Sequence, residues 1–61
     1  MEHIYTYENN SRKAIISKLD NGKFEVVCLI GEQLSHGFPP KEYKTIGIAH
    51  RYAHKFTTFN S

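Results

Sequence analysis

The chain has 61 residues, of which 39% are hydrophobic, 13% aromatic and 23% charged, and its formal net charge is +2. A chain of about 60 residues buries only about 60% of the surface that its unfolded form exposes, so we expect one small domain over residues 1–61 and little room for a catalytic cavity. The composition excludes a disordered tail, a collagen-like repeat and a coiled coil. The sequence has neither an apolar run that could span a membrane nor a secretory signal, and we therefore expect a cytoplasmic protein.

The first half of the chain has the residue pattern of an antiparallel sheet. Residues 3–7 alternate aromatic with β-branched side chains, as strands do. Residues 12–19 predict a second strand, and the Asp-Asn-Gly sequence at 20–22 predicts a hairpin turn, because Asn and Gly accept the positive φ angles that such a turn requires. The return strand, 23–30, has a continuous apolar centre, which indicates a central strand covered on both faces.

The second half of the chain predicts a short edge strand and then a helix. The strand covers residues 34–38 and must end at the two prolines that follow, since proline donates no hydrogen bond to a sheet. The helix begins at about Ile46, with Thr45 as its N-cap. Its sheet-facing residues recur at three- and four-residue spacing, and they are Ala49, Tyr52, Ala53 and Phe56, with Ile46 or Ile48 extending the face. The predicted fold class is α+β, with a three- or four-stranded antiparallel sheet and one C-terminal helix packed on one face.

This order of elements resembles a known class of small domains. A hairpin, an aromatic residue, the Lys44-Thr45 cap and a helix with Ala49 and Ala53 are similar to the small α+β domains of many short bacterial and bacteriophage proteins. The resemblance covers roughly residues 13–56 and includes no signature residue. It implies an accessory protein, with a host-modulating or inhibitory role of the kind that phage proteins have.

The predicted helix carries a basic stripe. Its members are His50, Arg51, His54 and Lys55, with Lys44 near the start of the helix. Residues 41–61 have a net charge of +3, whereas residues 1–40 have a net charge of −1. Such a surface can bind phosphate groups or an acidic protein. A solvated helix with cations near its C-terminus, where they suit the helix dipole, has the same pattern.

The chain is rich in aromatic residues, with four Tyr and four Phe. A core of this size holds about half of them, so some must lie near the surface. His3, Tyr5 and Tyr7 alternate with Ile4 and Thr6 on the first strand and so share one face, which we expect another subunit to complete. Exposed tyrosines stack on single-stranded bases in some proteins, but aromatic residues are also enriched at protein interfaces, which we favour here.

Metal binding and catalysis have little support in the sequence. His50 and His54 have the four-residue spacing that lets two imidazoles reach one ion, but a structural zinc needs four ligands. His3, His36 or Cys28 could complete the set only through the fold, and Cys28 is expected in the core. We therefore predict no metal, no cofactor and no enzymatic activity, since no nucleophile motif or phosphate-binding loop is present.

The sequence favours a small accessory or regulatory module that binds another protein and self-associates. The only cysteine cannot form an internal disulfide, and a domain without that device is often stabilised by a second chain. We expect a dimer at micromolar concentrations. The alternative is a weak nucleic-acid-binding protein that uses the basic helix face. The predicted partner-binding residues are Tyr5, Tyr7, Lys44, His50, Arg51, His54 and Lys55.

Overall fold

The computed structural model describes residues 1–35 and 37–58, which form an antiparallel sheet with one C-terminal helix packed against it. The strands are β1 (Glu2–Asn9), β2 (Arg12–Lys18), β3 (Phe24–Ile30), β4 (Gln33–Leu34) and β5 (Lys41–Tyr43), and the helix α1 spans Ile46–Thr58. The predicted α+β fold is confirmed.

The sheet is built around β3. Strands β1, β2 and β3 pair in sequence order, and the second edge of β3 is shared by the two short strands. β5 pairs with the first half of β3, from Phe24 to Val26, and β4 pairs with its end, at Leu29 and Ile30. The prediction of β3 as a central strand is confirmed.

The prediction of one edge strand over residues 34–38 is wrong. β4 ends at Leu34, although the Ser35 amide still donates to the Cys28 carbonyl at 3.0 Å, and β5 begins only at Lys41, directly after Pro39 and Pro40. Two prolines in succession remove two backbone donors, which is why pairing with β3 resumes only after them, as a separate strand.

The predicted hairpin between β2 and β3 is confirmed at the atomic level. Gly22 has φ of 86° and its amide donates to the Leu19 carbonyl at 3.0 Å. The Asn21 side-chain oxygen accepts from the Lys23 amide at 2.9 Å. The turn between β1 and β2 depends on Asn10, which has φ of 57°, a conformation that Asn tolerates better than most residues.

The core lies between the sheet and α1. Alternate residues of β2 and β3 point towards the helix, and the fully buried side chains are Ala14, Ile16, Val26, Cys28, Ala49, Ala53 and Phe56. The two alanines let the helix axis approach the strands closely, and Phe56 is the largest side chain buried between them. Burial of these groups is the main favourable contribution to folding.

The sequence predicts that Ile46 or Ile48 extends the buried face of the helix, but both residues are exposed. Their side chains are 37% and 48% exposed. Successive helical residues are about 100° apart around the axis, so Ile48 falls outside the narrow arc centred on Ala49, Ala53 and Phe56. The beginning of the helix is as predicted, because the Thr45 hydroxyl accepts from the Ile48 amide at 3.4 Å.

The end of the helix is held by side chains from the sheet. The Asn9 amide group donates to the Thr57 carbonyl at 2.9 Å, and the Arg12 guanidinium donates to the Phe56 carbonyl at 3.3 Å. The last carbonyls of a helix have no partner within the helix. The turn between β1 and β2 therefore fixes the position of the C-terminal part of α1.

Candidate functional site

Four of the predicted site residues meet where β1 faces α1, and we call them the tyrosine–histidine cluster: Tyr5, Tyr7, His50 and His54. The Tyr7 hydroxyl and His50 Nδ1 are 2.8 Å apart and hydrogen-bonded. The ring centroids of Tyr5 and Tyr7 are 4.8 Å apart in an edge-on arrangement. Tyr7 also lies 6.0 Å from the His54 ring, again edge-on. The two tyrosines and the two histidines thus form one continuous aromatic group.

The alternation of side chains along β1 and the four-residue spacing in α1 bring this cluster together. Side chains of a strand alternate between faces, so Tyr5 and Tyr7 both point to the helix side of the sheet, opposite Ile16 and Ala14 of β2. The two histidines are four residues apart in α1 and therefore share one side of the helix, the side that faces β1. The sequence contains both spacings, but only the fold shows that they face each other.

The cluster bears on two expectations about β1. Tyr5 and Tyr7 are covered in part by this chain's own helix, and the completion of their face by another subunit stays a prediction. His3 does not share their face, because an irregularity between His3 and Tyr5 places His3 opposite Ser17 and Tyr5 opposite Ile16. The extra residue in this bulge reverses the direction of the side chains that precede it.

Tyr5 is one of the two exposed members of the cluster. Half of its side chain is exposed (50%), although its ring contacts both Tyr7 and His50, the latter at 5.7 Å between centroids. Tyr7 and His50 are half-buried, and His54 is exposed. An exposed ring held in place by its neighbours loses little further conformational freedom when a partner covers it.

The basic stripe predicted on the helix divides into two parts. His50 is not on the outer surface as expected, because its bond to Tyr7 turns it towards β1. Arg51, Lys55 and the preceding Lys44 are exposed, and the exposed Ile48 lies one turn before Arg51. We call Lys44, Ile48, Arg51 and Lys55 the outer helix face. Since Arg51 and Lys55 follow the two histidines directly in sequence, this face adjoins the tyrosine–histidine cluster.

Most of the other aromatic residues pack on the opposite side of α1. The Phe38 ring lies 5.0 Å from Phe56 and 5.8 Å from Tyr52, and Tyr52 lies 5.4 Å from Tyr43. Burial raises the pKa of Tyr43 and of Tyr52 above the ordinary value, so both phenols stay protonated at neutral pH. These residues belong to the fold rather than to a site. Phe59 lies outside the described residues.

The described residues do not bring together three His, Cys, Asp or Glu side chains that could hold a metal ion. His50 and His54 are at the edge of α1, whereas Cys28 is buried in the core as predicted. Burial raises the pKa of the Cys28 thiol to about 11, which keeps the thiol protonated and unreactive at neutral pH. His36, the remaining candidate ligand, lies outside the part of the chain that the structure describes.

The face of the sheet that points away from α1 is a second surface, and we call it the open face. It has four apolar side chains: Ile15, Val27, Leu29 and Leu34. They lie next to one another, since Ile15 pairs with Val27 and Leu29 pairs with Leu34. The helix covers only the other face, and no element within residues 1–35 and 37–58 covers this one. The sequence expectation that β3 is covered on both faces is therefore met on one face only.

Sequence reasoning missed this apolar surface and the two side chains that anchor the helix end, Asn9 and Arg12. A signal for the open face was present in Val27 and Leu29, which make β3 apolar on both of its sides. The sequence prediction of one helix on one face was not reconciled with the prediction that β3 is covered on both faces, and the described residues supply no second element for the open face. For Asn9 and Arg12 we see no comparable signal, because their partners are backbone carbonyls more than 40 residues away.

Comparisons with known proteins identify no relative: no family model, curated protein or solved structure matches the chain. Among the described residues, no helix is long and apolar enough to cross a membrane. Functional inference therefore depends on the surfaces described above.

Proposed function

We propose that this protein is a small cytoplasmic accessory or regulatory module, without enzymatic activity, that binds another protein. The observation that carries the proposal is the half-exposed Tyr5, held against Tyr7 and His50 beside a row of exposed cations. Tyrosine and arginine are the residue types most often found at the energetic centre of protein interfaces.

The charge of this surface indicates the chemistry of the partner. Lys44, Arg51 and Lys55 are exposed, and neither Arg51 nor Lys55 has an acidic neighbour one turn away in α1. The described helix has no acidic residue in its first turn. A surface of this kind attracts a protein with an acidic patch, because complementary charge speeds association and selects against basic partners. The resemblance to small phage proteins implies that this binding modulates or inhibits the partner.

Nucleic-acid binding is the second candidate, and the same exposed ring favours it. A base can stack on Tyr5 while Arg51 and Lys55 contact phosphates. The overall charge of +2 is low for a protein dedicated to nucleic acid. The two candidates predict different results with nuclease and with salt, so one experiment separates them.

The experiment is capture from native cell extract on immobilised protein, with and without nuclease. We expect wild-type protein to retain a specific protein after nuclease treatment. Tyr5→Ala and the double variant Arg51→Glu/Lys55→Glu should each reduce the retained amount at least about tenfold, which corresponds to about 1.4 kcal/mol.

The matched control is Lys23→Glu/Lys41→Glu, which changes the net charge equally at exposed positions, one in the turn between β2 and β3 and one on β5, at the opposite edge of the sheet from β1. This control should retain the partner as wild type does. Equal losses in both double variants would show that only net charge matters and would contradict a localised site. Loss of all retained protein on nuclease treatment, with binding that falls steeply with salt, would favour the nucleic-acid candidate.

A further inference from the structure

We propose that the open face of the sheet is the surface through which two copies of this chain associate, sheet against sheet. This inference concerns a different surface from the proposed partner site, and its test uses the purified chain alone. The two proposals can therefore fail independently.

The first observation is the unequal cover of the two faces. On the helix side Val26 and Cys28 are fully buried. On the open face Val27 and Leu29 of the same strand are only half-buried, and Leu34 is 55% exposed. The four apolar side chains are contiguous in the pairing register. A contiguous apolar patch of this kind marks an interaction surface more often than isolated exposed residues do.

The second observation is a pair of like charges on the same face. Glu25 of β3 and Glu42 of β5 stand directly opposite each other in the pairing register, and Glu25 is half-buried. Like charges in directly opposite positions destabilise a sheet. A partner that supplies hydrogen-bond donors to this corner would relieve the cost.

The register arranges the open face in three rows across the sheet. The first row is Glu8, Lys13, Leu29 and Leu34; the second is Thr6, Ile15 and Val27; the third is His3, Ser17, Glu25 and Glu42. Lys13 and Glu8 form an ion pair of 3.7 Å within the first row. The apolar residues therefore run from the middle of the face to its β4 corner, the pair Glu25 and Glu42 occupies the β5 corner, and Glu8 lies at the β1 edge.

A second copy fits this pattern when the two-fold axis runs parallel to the strands, between β2 and β3. Each row then faces its own equivalent in reverse order. Ile15 faces Val27 of the second copy, Glu42 faces the exposed His3 ring, and Leu34 faces Glu8. Ser17, which faces Glu25, is only 8% exposed in the single chain, so the acidic corner of each copy receives the His3 ring of the other, and no carboxylate faces another.

The alternative axis, perpendicular to the strands, fits less well. It places Leu29 against Glu25 and Leu34 against Glu42 of the second copy, so that two apolar side chains would each cover a carboxylate, whereas the parallel axis makes one such contact, Leu34 against Glu8. In the parallel arrangement Leu29 faces Lys13 instead, whose aliphatic stem packs on apolar groups while its ammonium stays in water. The charges of this chain thus favour the parallel axis for a second copy, and two sheets stacked in this way have the aligned packing common in β-sandwiches.

The size of the face determines the expected affinity. The open face is four strand positions wide, at a spacing of about 4.8 Å, and β4 and β5 share the fourth position. With a length of about 23 Å, its area is roughly 440 Å² per copy, or roughly 900 Å² for both copies. Stable complexes usually bury at least about 1,200 Å², so the dimer should be weak. We expect a dissociation constant on the order of 10 μM.

The test is sedimentation of the purified protein from about 1 μM to about 1 mM, a range that brackets the expected dissociation constant. Val27→Lys should raise that constant at least about tenfold, because the new ammonium group would be buried without a partner. Val27→Thr, which keeps the branched shape suited to a strand, should raise it less and provides a second readout if the lysine variant does not fold. Ile48→Lys is the matched control, since it makes the same charge change at an exposed apolar side chain outside the open face, and it should have no effect.

The orientation has its own test in a charge exchange. Glu42→Lys should weaken the dimer, because the new lysine faces His3 of the second copy. It should also make the folded monomer slightly more stable, because it removes the repulsion from Glu25. Adding His3→Glu to this variant should restore association.

Three results would overturn the proposal. A monomer up to about 1 mM would show that a second copy does not cover this face, since weak dimers of this area assemble in that range. A dimer that Ile48→Lys disrupts, and that both Val27 variants leave intact, would place the contact on the helix. A dimer that Glu42→Lys leaves unchanged would refute the proposed orientation.

Discussion

Replacing Phe56 with alanine should remove most of the stability of this fold. Phe56 is the largest fully buried side chain, its ring lies 5.0 Å from Phe38, and the Arg12 guanidinium lies 5.0 Å above it. Truncation of a buried Phe to Ala costs about 3–5 kcal/mol through lost transfer energy and the cavity that remains. The whole domain has a free energy of unfolding of only about 3–9 kcal/mol at its length. Phe56→Ala should therefore populate the unfolded state substantially at 25 °C.

Urea denaturation followed by far-ultraviolet circular dichroism measures this effect. Phe56→Leu, which keeps most of the apolar contact, should lose only about 1–2 kcal/mol and remain folded. Ile48→Ala is the control on the same helix, and because its side chain is 48% exposed it should change stability by less than about 0.5 kcal/mol. All variants are compared at one low protein concentration, since self-association would add to the apparent stability. Equal, small losses for Phe56→Ala and Ile48→Ala would refute the packing of α1 on the sheet.

Three further changes test other parts of the fold. Gly22→Ala should lower the free energy of unfolding by about 1–2 kcal/mol, because a residue with a β-carbon is strained at φ of 86°. Gly37→Ala is the control and should be nearly neutral, because Gly37 has no positive φ. The midpoints of urea denaturation compare the two variants. Asn9→Ala should cost about 1 kcal/mol by removing the bond to the end of α1, and amide hydrogen exchange should show faster opening of the last helical turn. Raising the pH from about 9 to 11 should destabilise the protein, because the unfolded thiol ionises at its ordinary pKa of 9.0 while the pKa of Cys28 is about 11 in the fold; Cys28→Ala should reduce this dependence in pH-resolved denaturation.

Each of these three predictions has one outcome that would contradict it. Equal effects at Gly22 and Gly37 would mean that the hairpin turn does not constrain folding. Unchanged exchange in Asn9→Ala would mean that the helix end is held by other contacts. A pH dependence that is the same in Cys28→Ala and in wild type would assign the alkaline loss to other groups, with Tyr43 and Tyr52 the next candidates because the pKa of each is raised by burial.

The sequence predicted those parts of the fold that depend on interactions between residues close together in the chain. The Asn21-Gly22 turn, the Thr45 cap and the spacing of Ala49 and Ala53 each depend on neighbours a few residues away. The sequence therefore identified the β2–β3 hairpin, the start of the helix and its buried side. The division of the last edge into β4 and β5 was not predicted, because it depends on how the chain returns to the same edge of β3 after the prolines.

The candidate site was predicted only in part. Tyr5 and Tyr7 were selected for their aromatic character, and His50 and His54 for their spacing, but as members of two separate surfaces. The distances that unite them join residues more than 40 positions apart in the chain, which no periodicity encodes. The bulge before Tyr5 had a similar effect: it moved His3 to the open face, where it becomes a group that can meet Glu42 of a second copy.

The most direct measurement of the proposed function is a map of the binding surface by nuclear magnetic resonance. The nitrogen-15-labelled protein would be titrated with the partner captured from nuclease-treated extract. Signals of Tyr5, His54, Arg51 and Lys55 should change or broaden first, while the signal of Val27 on the open face should change only with the concentration of the labelled chain itself. Changes confined to the open face, with the tyrosine–histidine cluster and the outer helix face unaffected, would contradict the account.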